Sequence, residues 1–151
     1  MPSASPAGSY YGEGMTPAPS TRPGTVALAF VVDAVLVLVF VAIGRRSHTE
    51  GITISGVAET GWPFLAALGL GWLVARAWRS PLGIRSPALV IWAATVVGGV
   101  ALRLVSGQGA QVSFIIVTAL VLGLFLLGWR ALTAFVRSRR IGVRRSSSRP
   151  R

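Results

Sequence analysis

Four long apolar runs dominate the pattern of residues along the chain. They cover residues 26–43, 62–78, 87–105 and 112–129. An earlier start at Ser55 is the alternative for the second run, and a later end at Phe135 is the alternative for the fourth. Each run has roughly 17–20 residues, about the length that a helix needs to cross the hydrocarbon core of a bilayer. A buried helix of a soluble protein is shorter or carries a polar stripe. The pattern therefore predicts an all-α fold, an integral membrane four-helix bundle within residues 25–135.

The two ends of the chain are polar. Residues 1–24 are rich in Pro, Gly and Ser and have no apolar periodicity. This composition predicts a disordered tail, because too little apolar surface is available to offset the entropy lost on ordering. Residues 136–151 form a basic tail, which we expect to lie against anionic lipid headgroups. Nucleic acid is not an expected partner, since no aromatic residue is interleaved with the arginines.

Composition and charge support the membrane class and predict an orientation. Only 13% of the 151 residues are charged, whereas soluble domains have about a quarter. The net charge of +11 comes from arginines, and an even number of spans places twelve of the fifteen on the side of both termini. Cytoplasmic segments carry the excess of basic residues in membrane proteins. We therefore expect both the N-terminus and the C-terminus in the cytoplasm.

One carboxylate, Asp33, lies near the middle of the first apolar run. An acid inside a membrane helix is costly, so Asp33 is the leading candidate for a functional residue. Desolvation disfavours the charged form, which leaves protonation or pairing with Arg103 or Arg76, each at an axial gap of about 10 Å. Thr95 and Thr118 fall at a similar depth and form a predicted midplane polar layer. Their hydroxyls either bond the carbonyl four residues back or help to solvate Asp33.

A second polar group follows the first apolar run. Arg45, Arg46 and His48 cluster there, and Glu50 and Glu59 are close enough in sequence to pair with them. The cluster is interpreted either as a site for an anionic ligand or headgroup, or as arginines that extend to the interface where the helix stops. No metal is expected, because His48 has no second ligand nearby in the sequence. The absence of cysteine excludes Cys-ligated metals, and no cofactor is expected.

Small residues recur four apart in the last three runs, and they predict close packing of helices within one bundle. A homodimer interface is the alternative use of the same small residues.

An enzyme is not expected, because no Ser/His/Asp set, paired carboxylates or Gly-rich phosphate loop is present. Two classes remain. One is a non-catalytic membrane subunit or structural factor, which the lack of a second midplane acid favours. The other is a small proton- or ion-coupled carrier of an unknown ligand, acting as a dimer with Asp33 as its titrating group.

Four short motifs resemble a known family. They are GRRSH at 44–48, ETGWPF at 59–64, RLVSGQG at 103–109 and LGWR at 127–130. Over roughly residues 25–135 the chain resembles an uncharacterised bacterial family, domain of unknown function 3054. The resemblance implies a small integral protein of the cytoplasmic membrane in high-GC bacteria. It implies no activity, ligand or catalytic residue.

Overall fold

A computed structural model describes residues 22–46 and 53–146, except for the side chains at 85, 86 and 140–146. It contains four α-helices: α1 Pro23–Arg46, α2 Ile54–Val74, α3 Leu89–Val105 and α4 Val112–Ser146. No strand occurs in the described part of the chain, which confirms the all-α prediction. Disorder is predicted for residues 1–24, but Pro23 and Gly24 belong to α1. The other predictions for residues 1–21, for the surroundings of His48 and for the last five residues of the basic tail fall outside the described ranges.

Consecutive helices pack side by side, and α4 returns to pack against α1. The helices alternate in direction. Pro23 and the α2–α3 connection therefore share one end of the bundle, here called the N-terminal end, while Arg46 and the α3–α4 connection share the opposite end. By length and composition, α1, α2 and residues 112–139 of α4 can each cross a membrane, and α3 is a shorter apolar helix of 17 residues.

The closest helix pair is α2 and α3. A Cβ on Gly71 would lie 3.0 Å from the Ala94 Cβ, and a Cβ on Gly98 would lie 3.0 Å from the Ala67 Cβ. A side chain at either glycine would crowd the alanine on the facing helix, so the glycines allow the two backbones to approach closely. For this pair, the prediction that small residues mediate packing within the bundle is confirmed.

Two helices begin earlier than their apolar runs. Proline suits the first turn of a helix, where its missing N–H is not needed, and α1 begins at Pro23 rather than at residue 26. The second helix begins at Ile54, eight residues before the apolar run at 62 and one residue before the alternative start at Ser55. The Thr53 side chain caps it by accepting a hydrogen bond from the Gly56 N–H at 3.2 Å.

The predicted end of the second helix at Trp78 is wrong. The backbone of Arg76 is left-handed, with φ of 47°, and this stops α2 at Val74. Trp78 lies beyond it in a short 3-10 helix, Ala77–Arg79. The prediction of Pro87 as the first residue of the third helix is also wrong, because Pro87 lies inside a π-helical turn, Ile84–Ala88, that leads into α3.

The fourth helix continues well past its predicted end at 129, and past Phe135, to Ser146. Residues 130–139 contain no glycine or proline, so no residue in that stretch breaks the backbone hydrogen bonding. The first part of the predicted basic tail is therefore an extension of α4.

Candidate functional site

A buried ion pair joins the first and last helices. Asp33 on α1 and Arg130 on α4 each have 0% of their surface exposed. The two ends of the Arg130 guanidinium contact the two carboxylate oxygens, with Nη2 to Oδ2 at 2.6 Å and Nη1 to Oδ1 at 2.8 Å. This bidentate arrangement matches the planar fork of arginine to the carboxylate and fixes the orientation of both groups.

Two tryptophans complete the hydrogen bonding of the carboxylate. Trp72 on α2 donates its indole N–H to Asp33 Oδ2 at 2.9 Å, and Trp129 on α4 donates to Oδ1 at 2.8 Å. Each carboxylate oxygen therefore accepts two hydrogen bonds, which fills the roughly four acceptor positions of an ionised carboxylate. Asp33, Trp72, Trp129 and Arg130 are called the polar centre below.

The rest of the Arg130 guanidinium ties the polar centre to the backbone. Nη1 donates to the Leu126 carbonyl at 2.9 Å, one turn back in α4. Nε donates at 3.3 Å to the carbonyl of Pro81, in the α2–α3 connection. One buried arginine therefore links α1, α4 and the α2–α3 connection, and the shared carboxylate adds α2.

Helical spacing explains why these residues meet. On α1, Asp33 shares its buried face with Ala29 and Val37, four residues to either side. On α4, the buried residues Thr118, Leu122, Leu126 and Arg130 follow one another every four positions. Residues four apart lie on one side of a helix, so both stripes face the interior of the bundle.

The prediction that Asp33 pairs with Arg103 or Arg76 is wrong. Arg76 is exposed where α2 ends, and Arg103 lies at the opposite end of the bundle. The sequence interpretation counted Arg130 among the cytoplasmic flanking arginines because it follows the last apolar run. Its side chain instead extends back along α4 toward Leu126, so that the charged group enters the bundle. The four-residue spacing from Thr118 to Arg130 is the signal that would have placed Arg130 on the buried face.

The two threonines of the predicted midplane layer do not solvate Asp33. Thr95 donates to the Ile91 carbonyl of its own helix at 2.7 Å, which confirms the local alternative for this residue. Thr118 is fully buried, and its hydroxyl has no hydrogen-bond partner in the described part of the chain. The tryptophans Trp72 and Trp129, which the sequence interpretation did not connect with Asp33, supply the donors instead.

At the opposite end of the bundle, Arg45 binds the start of α2. Its Nη1 donates to the Thr60 hydroxyl at 2.9 Å, and its guanidinium covers Gly56 so closely that a Cβ there would collide with it. Arg46 is exposed. Arg45 and Arg46 therefore lie in different surroundings. His48 lies outside the described residues.

Glu59 enters this region through its backbone. Its carbonyl accepts a hydrogen bond from Gln108 Nε2 at 3.0 Å. In a regular helix this carbonyl would bond the N–H four residues later, but that residue is Pro63, which has no N–H. The side chain of Gln108 thus supplies the donor that proline removes, and it fastens the α3–α4 connection to α2.

Arg103 orders the same connection. Its Nε donates to the Gly109 carbonyl at 2.8 Å and its Nη1 to Gln108 Oε1 at 3.0 Å, while its guanidinium lies 4.8 Å from the centre of the Phe114 ring. Gly107 and Gly109 have φ of 76° and 70°, a conformation that favours glycine. Arg103, Gln108, Phe114 and the Glu59 carbonyl are called the outer cluster below.

Within the described ranges, no three His, Cys, Asp or Glu side chains lie together as a possible group of metal ligands. Residues 30–133, which contain the whole polar centre, match the family described as a protein of unknown function, DUF3054. The chain belongs to the DUF3054 family. No curated protein and no solved structure matches this DUF3054 protein.

Proposed function

We propose that this DUF3054 protein is a multi-pass protein of the bacterial cytoplasmic membrane, with four spanning helices and both termini in the cytoplasm. The apolar character of the helices supports this proposal, and the π-helical turn Ile84–Ala88 lengthens the short third span. Burial of Arg130 leaves eleven arginines on the side of the termini against three on the other side. The asymmetry that orients membrane proteins therefore persists.

Reporter fusions test the topology. Fusions after residue 83 and at residue 151 should report cytoplasm, and a fusion near residue 52 should report the other side. A cytoplasmic signal near residue 52 would exclude the proposed orientation.

The proposed role is that of a non-catalytic membrane subunit or structural factor. The observation that supports it is the complete burial and hydrogen bonding of the Asp33 carboxylate in the polar centre. Asp33 has no exposed surface, and its two oxygens already accept four hydrogen bonds. A carboxylate that holds three helices together in this way has no acceptor position left for a transported ion.

The competing function is a proton- or ion-coupled carrier in which Asp33 titrates. The double variant Asp33→Leu/Arg130→Met separates the two, because it removes both charges and leaves apolar side chains of similar size. If the pair is structural, this variant should replace the wild-type protein in a deletion strain under conditions where the deletion has a phenotype. A stably inserted double variant that behaves like the deletion would contradict the structural role and favour the carrier.

Anionic lipid is the proposed partner of the α4 extension. Arg137 and Arg139 are exposed beyond the polar centre, and the Arg139 guanidinium lies 4.4 Å from the centre of the Phe135 ring. A basic helix with apolar residues suits the boundary between headgroups and acyl chains. Nucleic acid is not proposed as a partner, and the homodimer remains the alternative assembly, to be tested by the mass of the purified protein in detergent.

A further inference from the structure

An open groove of about 550 Å³ lies on the surface at the N-terminal end of the bundle. Its walls are the first two turns of α1 and the end of α2 with the 3-10 helix that follows. The lining residues are Pro23, Val26, Ala27, Phe30, Trp72 and Trp78. The four from α1 have the spacing of one helical face, so the groove runs along the helix axis.

The groove is apolar, and its most buried lining residue, Trp72, belongs to the polar centre. Trp72 is buried, and its indole N–H donates a hydrogen bond to Asp33. The rings of Trp72 and Phe30 pack edge to face. The groove therefore presents hydrocarbon and aromatic carbon to its occupant. A hydrocarbon chain suits such a surface, since it needs no hydrogen-bond partner.

Exposed arginines adjoin the groove. Arg22 precedes Pro23, and Arg76 and Arg79 lie within two residues of Trp78. None of these three side chains forms a hydrogen bond or ion pair with another residue in the described ranges. The two acids that the structure describes are elsewhere, with Asp33 paired to Arg130 and Glu59 on the first turns of α2 at the opposite end. The rim of the groove is therefore positively charged.

Arg76 occupies a backbone conformation that normally selects glycine. It follows the end of α2 with φ of 47°, the left-handed position in which helices commonly terminate. A residue with a Cβ costs free energy there, and such outliers cluster at functional sites. The cost is explained if the arginine side chain binds a ligand at this point.

We propose that this groove binds an acyl chain of an anionic phospholipid, whose phosphate is held at the rim by Arg76 and its neighbours. The proposal rests on the membrane location proposed above. The rim charge supplies the preference for an anionic headgroup, and the apolar walls supply the contact with the chain. A bound lipid would also cover the side of Trp72 that faces away from Asp33.

Native mass spectrometry of the detergent-purified protein tests the proposal. Dioleoyl phosphatidylglycerol and dioleoyl phosphatidylcholine are titrated separately, so that only the headgroup differs. We expect one phosphatidylglycerol to bind at least about five-fold more tightly, the effect of about one arginine near a headgroup. Soluble glycerol phosphate should not compete, because it lacks the acyl chain.

Two variants and two matched controls locate the site. Arg76→Gly should weaken phosphatidylglycerol binding by about five-fold while leaving the melting temperature of the lipid-free protein unchanged or higher, since glycine suits the left-handed backbone. Ala27→Trp should abolish binding of both lipids at this site by filling the groove. Arg46→Gln, with the same loss of charge at the opposite end of the bundle, and Ala93→Trp, on an exposed face of α3, should bind phosphatidylglycerol like the wild type.

Three results would overturn the proposal. Equal weakening by Arg46→Gln and Arg76→Gly would show attraction to total charge rather than a site at the groove. Unchanged lipid binding by Ala27→Trp would place the lipid elsewhere. Conversion of a dimer to a monomer by Ala27→Trp would identify a second copy as the occupant. Carbonate extraction of cell membranes keeps the two proposals apart: a chain released from the membrane contradicts the membrane location, whereas a retained chain without lipid preference contradicts only the groove.

Discussion

The polar centre and the outer cluster each stabilise the charge of an arginine, but they use different contacts because they differ in access to solvent. In the polar centre, Arg130 is fully buried and meets a carboxylate that is itself fully hydrogen-bonded. In the outer cluster, Arg103 is half-buried and meets carbonyl oxygens and an aromatic face. A buried charge needs an opposite charge as well as hydrogen bonds, whereas a partly exposed charge can complete its solvation outside the protein.

The comparison also separates two kinds of connection. The polar centre joins helices that are distant in sequence, since Asp33 and Arg130 are 97 residues apart. The outer cluster mainly orders a short connection, with Arg103 bonded to residues five and six positions later. Loss of the first should therefore loosen the whole bundle, and loss of the second should loosen one end of it.

Removing one charge of the polar centre should have the largest effect. Arg130→Met leaves Asp33 buried without a countercharge, so we expect the free energy of unfolding to fall by about 3–5 kcal/mol. Arg103→Met, the matched change in the outer cluster, should cost about 1 kcal/mol or less. The double variant Asp33→Leu/Arg130→Met should recover most of the loss. Unfolding of the detergent-purified protein by SDS titration measures all three, and equal losses at the two arginines would refute the contrast.

Removing one indole donor should have an intermediate effect. Trp129→Phe keeps an aromatic ring but deprives Asp33 Oδ1 of one hydrogen bond, and we expect a loss of about 1–3 kcal/mol in the same titration. Trp62→Phe, at a half-exposed position of α2, is the control and should change stability little. In the Asp33→Leu background the cost of Trp129→Phe should shrink, because the acceptor is gone; an undiminished cost would assign the effect to packing alone.

A small effect, comparable to that of Arg103→Met, is expected in the outer cluster at the carbonyl of Glu59. Gln108→Leu removes the donor that replaces the missing N–H of Pro63, so we expect a loss of about 1 kcal/mol. Pro63→Ala restores a backbone N–H at that position, so the same Gln108→Leu change should then cost less and lose only the Oε1 acceptor of Arg103. Equal costs of Gln108→Leu in both backgrounds would show that the side chain does not compensate for the proline.

The long apolar runs predicted four α-helices, because the length and apolar character of a run are properties of the whole segment rather than of single residues. Their ends depended on local features that periodicity does not report, such as the Thr53 cap and the left-handed backbone of Arg76. The importance of Asp33 followed from the cost of an acid in an apolar run. Its partner did not, because Arg130 follows the last apolar run and only its long side chain, which extends back along α4, reaches the carboxylate.

The separation of Asp33 and Arg130 along the chain also determines the order of assembly. At ribosomal rates, the 97 residues between them take about 5–20 s to synthesise. During that interval α1, α2 and α3 exist with an acid at their shared face and no arginine to meet it. Only the arrival of α4 supplies the countercharge and, through the Pro81 carbonyl, fastens the connection made earlier. A chain that ends before residue 130 therefore lacks the arginine that balances its buried acid.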